Sequence, residues 1–294
     1  MSPSTDPADL LRDIAVERVR EAAPAGPPAL YRCELGGQWN AAFFPFGGVV
    51  SALAVGAMRD ELARPEHTPR TIHTTFCSPV ADGPLEVEVR VLRAGRGMSQ
   101  LQATVRAAGS DDAGATTVGV FGAPRPGFAF TDAQPPRCPL PEDCTPPEPH
   151  PDPETTWNAR FFEQLEVRQW GMHASWEEGW EPGRAESLRW MRYRVPPRAA
   201  DGSIDPLAYA PVCDTMPPSI IQALGPGTPA FFAPSCDLDV HFLQPTRDEW
   251  LLVQARTHHA GDGYASASID LWDRDWRLVA RATQLMYLRV GVTD

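Results

Sequence analysis

Lysine is missing from this chain, and so is any apolar run approaching the roughly 20 residues that span a bilayer. All 26 basic residues are therefore arginine, set against 38 Asp and Glu for a net charge of -12. A field of that sign opposes nonspecific binding to nucleic acid or anionic lipid. It also opposes polyanionic small ligands unless a local arginine patch answers them. Arg32, Arg70, Arg90, Arg96 and Arg256 are the candidate cations. The segment from Met1 to Ala29 has no basic start followed by an apolar stretch, so it does not read as a secretory signal. Without such a signal the six cysteines are expected as reduced thiols. Cys138 and Cys144 lie among prolines, with no second pair at metal-ligand spacing, so neither a structural metal nor any cofactor is expected. The expectation is a soluble, cytoplasmic protein with no nucleic-acid or membrane partner.

What the chain does contain is a long internal repeat. A shift of 166 residues pairs Phe76 with Phe242, Pro79 with Pro245, Asp82 with Asp248, Leu85 with Leu251 and Val87 with Val253. It also pairs Arg90 with Arg256, Gly95 with Gly261 and Gly97 with Gly263, without a gap from Gly48 to Gly97. A period this long points to a duplicated domain rather than a solenoid, whose repeats run to about 20–50 residues. At 294 residues there is chain enough for two such units.

Each unit reads as one buried helix followed by strands. Residues 8–23 suggest a short amphipathic helix, ended by a Pro- and Gly-rich stretch, with a short strand over Leu30 to Leu35. From Val49 to Met58 the chain is apolar or small on nearly every face, the mark of a buried helix. Alternation then takes over, clearest in Leu85, Val87, Val89 and Val91 against Glu86, Glu88 and Arg90. Residues 122–156 carry eleven prolines and read as an extended linker across the surface. Beyond it, 159–168 and 184–195 read as long strands, 206–224 as a helix interrupted at Pro217-Pro218, then strands from about 235, 249, 263 and 277. The expected division is 1–27 as an N-terminal segment, 28–122 as the first unit, 123–156 as linker and 157–294 as the second unit. The fold class is α+β.

In order and spacing, five segments resemble the acyl-CoA thioesterase II, or TesB-like, family over roughly residues 28–290. They are WNAAFFPFGGVVSALAVGA, HTTFCSPV, LAYAPVCDTMPPSI, PSCDLDVHFLQP followed by DEWLL, and VARATQLMYLR. The resemblance implies a double hotdog, two antiparallel sheets each wrapped around a central helix. It also implies a water held for thioester hydrolysis by an Asp, a Thr or Ser, and a Gln from the second unit, here Asp214, Ser235 and Gln284. Serine stands where many relatives have threonine. The matching positions of the first unit are Gly48, Pro69 and Val118 or Gly119, none of which can replace those groups, so one site per chain is expected.

On that reading Asp214, at a helix start, is the general base, and Gln284 and Ser235 position the water. Backbone N–H groups at Gly47 and Gly48 hold the thioester oxygen. Plainer readings exist for each. An Asp near a helix N-terminus is usually a cap, and a lone Gln on an apolar strand face is usually satisfied by backbone. A Gly pair equally allows tight helix–sheet packing. Strand parity sets Ser235 with Asp237 and Asp239, so it reaches the site only from the strand's end or a bulge. Trp170, Trp176, Trp180 and Trp190 read as core before acyl channel. His73, His241, His258 and His259 have no second ligand at metal spacing. Ser219 lacks a nucleophile elbow.

The leading expectation is an acyl-CoA thioesterase acting by activated water. The alternatives are a noncatalytic acyl-thioester-binding protein and, disfavoured because no His follows Asp214 at i+5, a hydratase or dehydratase. Exposed sheet edges suggest a homodimer or homotetramer.

Overall fold

A computed structural model describes residues 7–23, 26–151 and 159–291. The first half opens with helix α1 (Leu10–Asp13) and strand β1 (Glu17–Arg20), followed by β2 (Ala29–Leu35). The small ribbon of β3 (Asn40–Ala41) and β4 (Phe44–Pro45) leads into helix α2 (Gly47–Leu62). Four strands complete that half: β5 (Thr68–Phe76), β6 (Gly83–Ala94), β7 (Met98–Ala107) and β8 (Ala115–Gly122). Residues 8–23 are thus not one helix. Val16 and Val19 favour extended backbone, and β1 finds a partner in β2.

The second half begins with α3 (Arg160–Glu163), β9 (Leu165–Gln169) and β10 (Glu186–Tyr193). Helices α4 (Tyr209–Cys213) and α5 (Pro218–Leu224) follow, then β11 (Phe231–Phe232), β12 (Asp237–Phe242) and β13 (Leu251–Gly261). The chain closes with β14 (Tyr264–Trp272), β15 (Leu278–Tyr287) and β16 (Arg289–Val290). The strand expected over 159–168 begins as a helical turn, because Phe161 and Phe162 turn onto Phe46. The helix expected over 206–224 is interrupted: Asp214 to Met216 leave the helical path and Pro218 starts α5.

Instead of two sheets there is one sheet of twelve strands, ordered β1-β2-β6-β7-β8-β5-β12-β15-β14-β13-β10-β9. Antiparallel pairing of β5 with β12 fuses the halves. At its centre His73 lies opposite Asp239, two residues 166 positions apart, so residues equated by the repeat meet on a local two-fold axis. The halves also share an irregularity. The β6–β7 register slips between Val91 and Arg93, and the β13–β14 register slips at the equivalent Thr257 and His259.

Helix α2 is packed against β5, β6, β7 and β8, while α5 lies on β10 and β13. From Gly48 to Met58 every residue of α2 is buried, as its lack of a polar face requires. The proline-rich segment does more than cross the surface. Cys138, Leu140 and Cys144 join Trp190, Leu252, Trp272 and Leu278 in a second apolar cluster on the outer side of the sheet. Trp180 and Trp190 are buried, whereas Trp170 and Trp176 are exposed. All six cysteines are free thiols. Among the described residues no helix is long and apolar enough to cross a membrane.

Candidate active site

The helices α2 and α4 touch backbone to backbone. A Cβ on Gly48 would lie 2.5 Å from the Ala210 carbonyl oxygen and 2.5 Å from Pro211 Cα, so only glycine permits this approach. The contact sets the positive end of α2 against the residue at which α4 stops, Asp214. Asp214 is therefore not at a helix start, as expected from the sequence, but at a helix end, because the helix breaks before Pro217-Pro218.

The Asp214 carboxylate is buried and accepts three kinds of donor. Gly48 N–H donates to Oδ2 at 2.7 Å. Ser235 Oγ donates to Oδ1 at 2.8 Å, and Gln284 Nε2 donates to the same oxygen. Gln284 Nε2 also donates to Ser235 Oγ at 2.6 Å. Burial pushes the Asp214 carboxyl up to about 6, and the bonds from Ser235, Gly48 and Gln284 oppose part of that rise. Gln284 is buried on β15, and its Oε1 has no hydrogen-bond partner among the described residues. Ser235 reaches the group from just before β12, where it bridges Met286, as strand parity required.

Three sequence-named side chains thus converge, drawn from a helix end, a strand start and a strand interior. The Gly48 N–H is committed to Asp214 and in this geometry is not free for a substrate oxygen, a correction to the role expected of it. Gly47, first in the helix, has an N–H with no intrahelical acceptor. The equivalent place in the first half holds Gly119, which occupies opposite Leu101 the position that Gln284 occupies opposite Ala267. A side chain there would press on Met58 Sδ at 2.9 Å, so that end is closed by packing.

Aromatic side chains not named as site candidates from the sequence pack around the start of α2. Phe76 Cζ would lie 2.9 Å from a Cβ on Gly47. Phe46, the N-cap of α2, stacks on Phe161 of α3 with ring centroids 4.3 Å apart. Their aromaticity was the only available signal. Arg189 was missed too, although its odd-numbered neighbours Ser187, Met191 and Tyr193 mark the inward face of β10. Of the five candidate arginines, Arg32 is paired with Glu86 and Arg256 with Glu186, and Arg70 donates to the Gly122 carbonyl. His73 has carboxylates within reach after all. Asp237 and Asp239 join it in a cluster with ligand atoms within 4.8 Å, brought by β12 rather than by local spacing.

With this geometry in hand, comparison with known proteins is decisive. The profile of the acyl-CoA thioesterase C-terminal domain matches residues 141–288, and that of the N-terminal domain matches residues 35–122. The chain belongs to the acyl-CoA thioesterase family. The C-terminal match begins inside the proline-rich segment, part of which packs on the sheet. Similar solved structures include a hot dog fold protein from Alicyclobacillus acidocaldarius, with 23% identity, TM-score 0.74 and coverage of 96% of this chain and 98% of that one. Acyl-CoA thioesterase II TesB2 from Mycobacterium marinum is 19% identical, with TM-score 0.73 and coverage of 97% and 100%. A TesB protein of Mycobacterium avium subspecies paratuberculosis is 20% identical, with TM-score 0.72 and coverage of 95% and 98%. These likenesses establish the hotdog fold. Among curated proteins no sequence matches.

Proposed function

We propose that this member of the family hydrolyses acyl-CoA to a free acid and coenzyme A at Asp214, Ser235 and Gln284. The observation that carries the reading is the buried Asp214 carboxylate held by side chains from two other elements. A carboxylate kept near 6 is ionised at neutral pH, yet basic enough to take a proton from water. Gln284 Oε1, buried without a partner, is the acceptor that orients that water's other hydrogen. Ser235 and the Gly48 N–H hold the carboxylate in place.

The water oxygen adds to the thioester carbon as its proton passes to Asp214. The carbonyl oxygen then carries the negative charge, which the Gly47 N–H at the positive end of α2 stabilises. Collapse breaks the C–S bond, and the proton on Asp214 goes to the departing sulfur, restoring the carboxylate. Arg90 and Arg96, the remaining two of the five candidate arginines, are the cations proposed for the coenzyme A phosphates. The same proposal includes two hotdog units, folded around α2 and around α4 with α5, and assembly as a homodimer or homotetramer.

Thiol release from a panel of acyl-CoAs tests it, comparing wild type with Asp214→Asn. The variant should lose about a thousandfold in kcat, the scale of positioned acid–base groups. Equal rates would remove Asp214 from the chemistry. Saturable acyl-CoA binding without turnover in the wild type would instead favour a noncatalytic binding protein.

A further inference from the structure

Behind Asp214 lies a buried cation that the hydrolysis does not use. Arg189 points from β10 toward the interior, 6% exposed, and donates through Nη2 to the carbonyl of Thr215, the residue after Asp214. No hydrogen-bond partner for its Nε lies among the described residues. Among the described residues it forms no ion pair, although the chain carries an excess of carboxylates. Two positions along the same inward face, Ser187 is fully buried and its hydroxyl is also without a partner. Arg189 remains protonated at neutral pH, since burial lowers it only to about 10.

The surroundings suit a small polar group. Ser187 stands opposite Ala255 on β13, and Ala267 on β14 stands between Thr257 and Gln284. The Thr257 hydroxyl bonds Ser219 of α5 at 2.7 Å. The inner wall between Gln284 and Arg189 thus carries Ala255, Ala267 and the Thr257 hydroxyl beside the apolar Val253, which faces Arg189, and Ile269, which faces Ala255. A guanidinium buried without an acid is costly unless its counter-charge arrives from outside. The protein uses one N–H to hold the carbonyl of Thr215, the residue after Asp214, and leaves Nε unpaired two positions along the strand from the unpaired Ser187 hydroxyl.

We infer that Arg189 and Ser187 form the subsite for the far end of the acyl group, and that this end is a carboxylate: the substrate is a short ω-carboxyacyl thioester. The substrate's carboxylate accepts from Arg189 Nε and Ser187 Oγ while its thioester carbon faces Asp214. This assignment rests on the thioesterase reading of the site and deepens it by naming the acyl class.

The test compares chains of equal carbon count, pentanoyl- with glutaryl-CoA and hexanoyl- with adipyl-CoA, by kcat/KM for the wild type, Arg189→Met and Ser187→Ala. Wild type should favour the carboxylated member by at least about tenfold, the worth of one hydrogen bond to a charged group. Arg189→Met should lower that ratio by about a hundredfold. Ser187→Ala breaks no bond within the protein, so it folds, and it should lower the ratio by about threefold to tenfold. A wild-type ratio near one overturns the inference, as does an Arg189→Met variant that slows both series alike, the sign of a purely structural anchor for Thr215. Failure of the hydrolase reading looks different: no acyl-CoA turns over at all. Thermal shift with free glutarate and adipate then decides, since stabilisation of wild type but not of Arg189→Met keeps the subsite, and no stabilisation of either removes it.

Discussion

At the scale of single residues, the site depends on how burial and hydrogen bonding compete at Asp214. A rise from 3.8 to about 6 corresponds to about 3 kcal/mol of preference for the neutral form in the folded state. Two outcomes follow. The pH profile of kcat/KM should fall on the acid side with an apparent pKa near 6, as the base is protonated. Stability should move the other way. Because the folded pKa is raised, protonation favours the folded chain, so this contribution is lost as pH rises through about 6 and is fully present below about 3.8. The unfolding free energy of wild type relative to Asp214→Asn should therefore increase as the pH falls from 7 to 4, as measured by urea denaturation at each pH. A difference that stays flat with pH would mean that Asp214 titrates at its ordinary value. Asp214, Ser235 and Gln284 were legible in the sequence through family likeness. The hydrogen bond from the Gly48 N–H to Asp214 was not, because the repeat equates positions 48 and 214 without placing them in contact.

At the scale of elements, the meeting of α2 and α4 is the controlling feature. Gly48→Ala would set a methyl group 2.5 Å from backbone atoms of α4, which cannot rotate away. Forced separation should cost about 1–3 kcal/mol, lower Tm by several degrees, and reduce turnover more than the same substitution at an exposed glycine without positive φ such as Gly127. An unchanged Tm would show that the helices are not held at contact distance. Helix α2 was readable because the residues from Val49 to Met58, apolar or small on nearly every face, leave no solvent face. The segment 206–224 was read as one interrupted helix, and the prolines marked its break. Where the carboxylate falls relative to that break depends on the three-dimensional path of residues 214–217. The short segments around 8–23 and 159–168 were misread, because tertiary partners outweigh weak local preference in so few residues.

For the whole molecule, the β5–β12 seam joins halves that both supply atoms to the candidate site. Asp214, Ser235 and Gln284 come from the second half, whereas the N–H that fixes the carboxylate comes from the first. Arg59 near the end of α2 also reaches across to Asp205 at 2.8 Å. Separately expressed fragments 1–151 and 152–294 should each lack thioesterase activity and recover it when combined, because each fragment alone exposes a seam strand that the other covers. Activity of the second fragment alone would show that the first is dispensable to the site. The seam itself does not rest on the His73–Asp239 pair. Both partners are at least a third exposed, and His73→Ala should change stability by no more than about 1 kcal/mol.

The order of helix and strands, the repeat of 166 residues and the presence of a polar trio in only one copy are properties of the sequence. The first two follow from periodicity and spacing, which act along the chain, and the trio is what the family resemblance implies. The fusion of two expected sheets into one was decided by the fold, since strand partners across a two-fold axis carry no mark along the chain. So was the isolation of Arg189. Whether a buried charge has a partner depends on every element packed around it, and only tertiary packing assembles those neighbours.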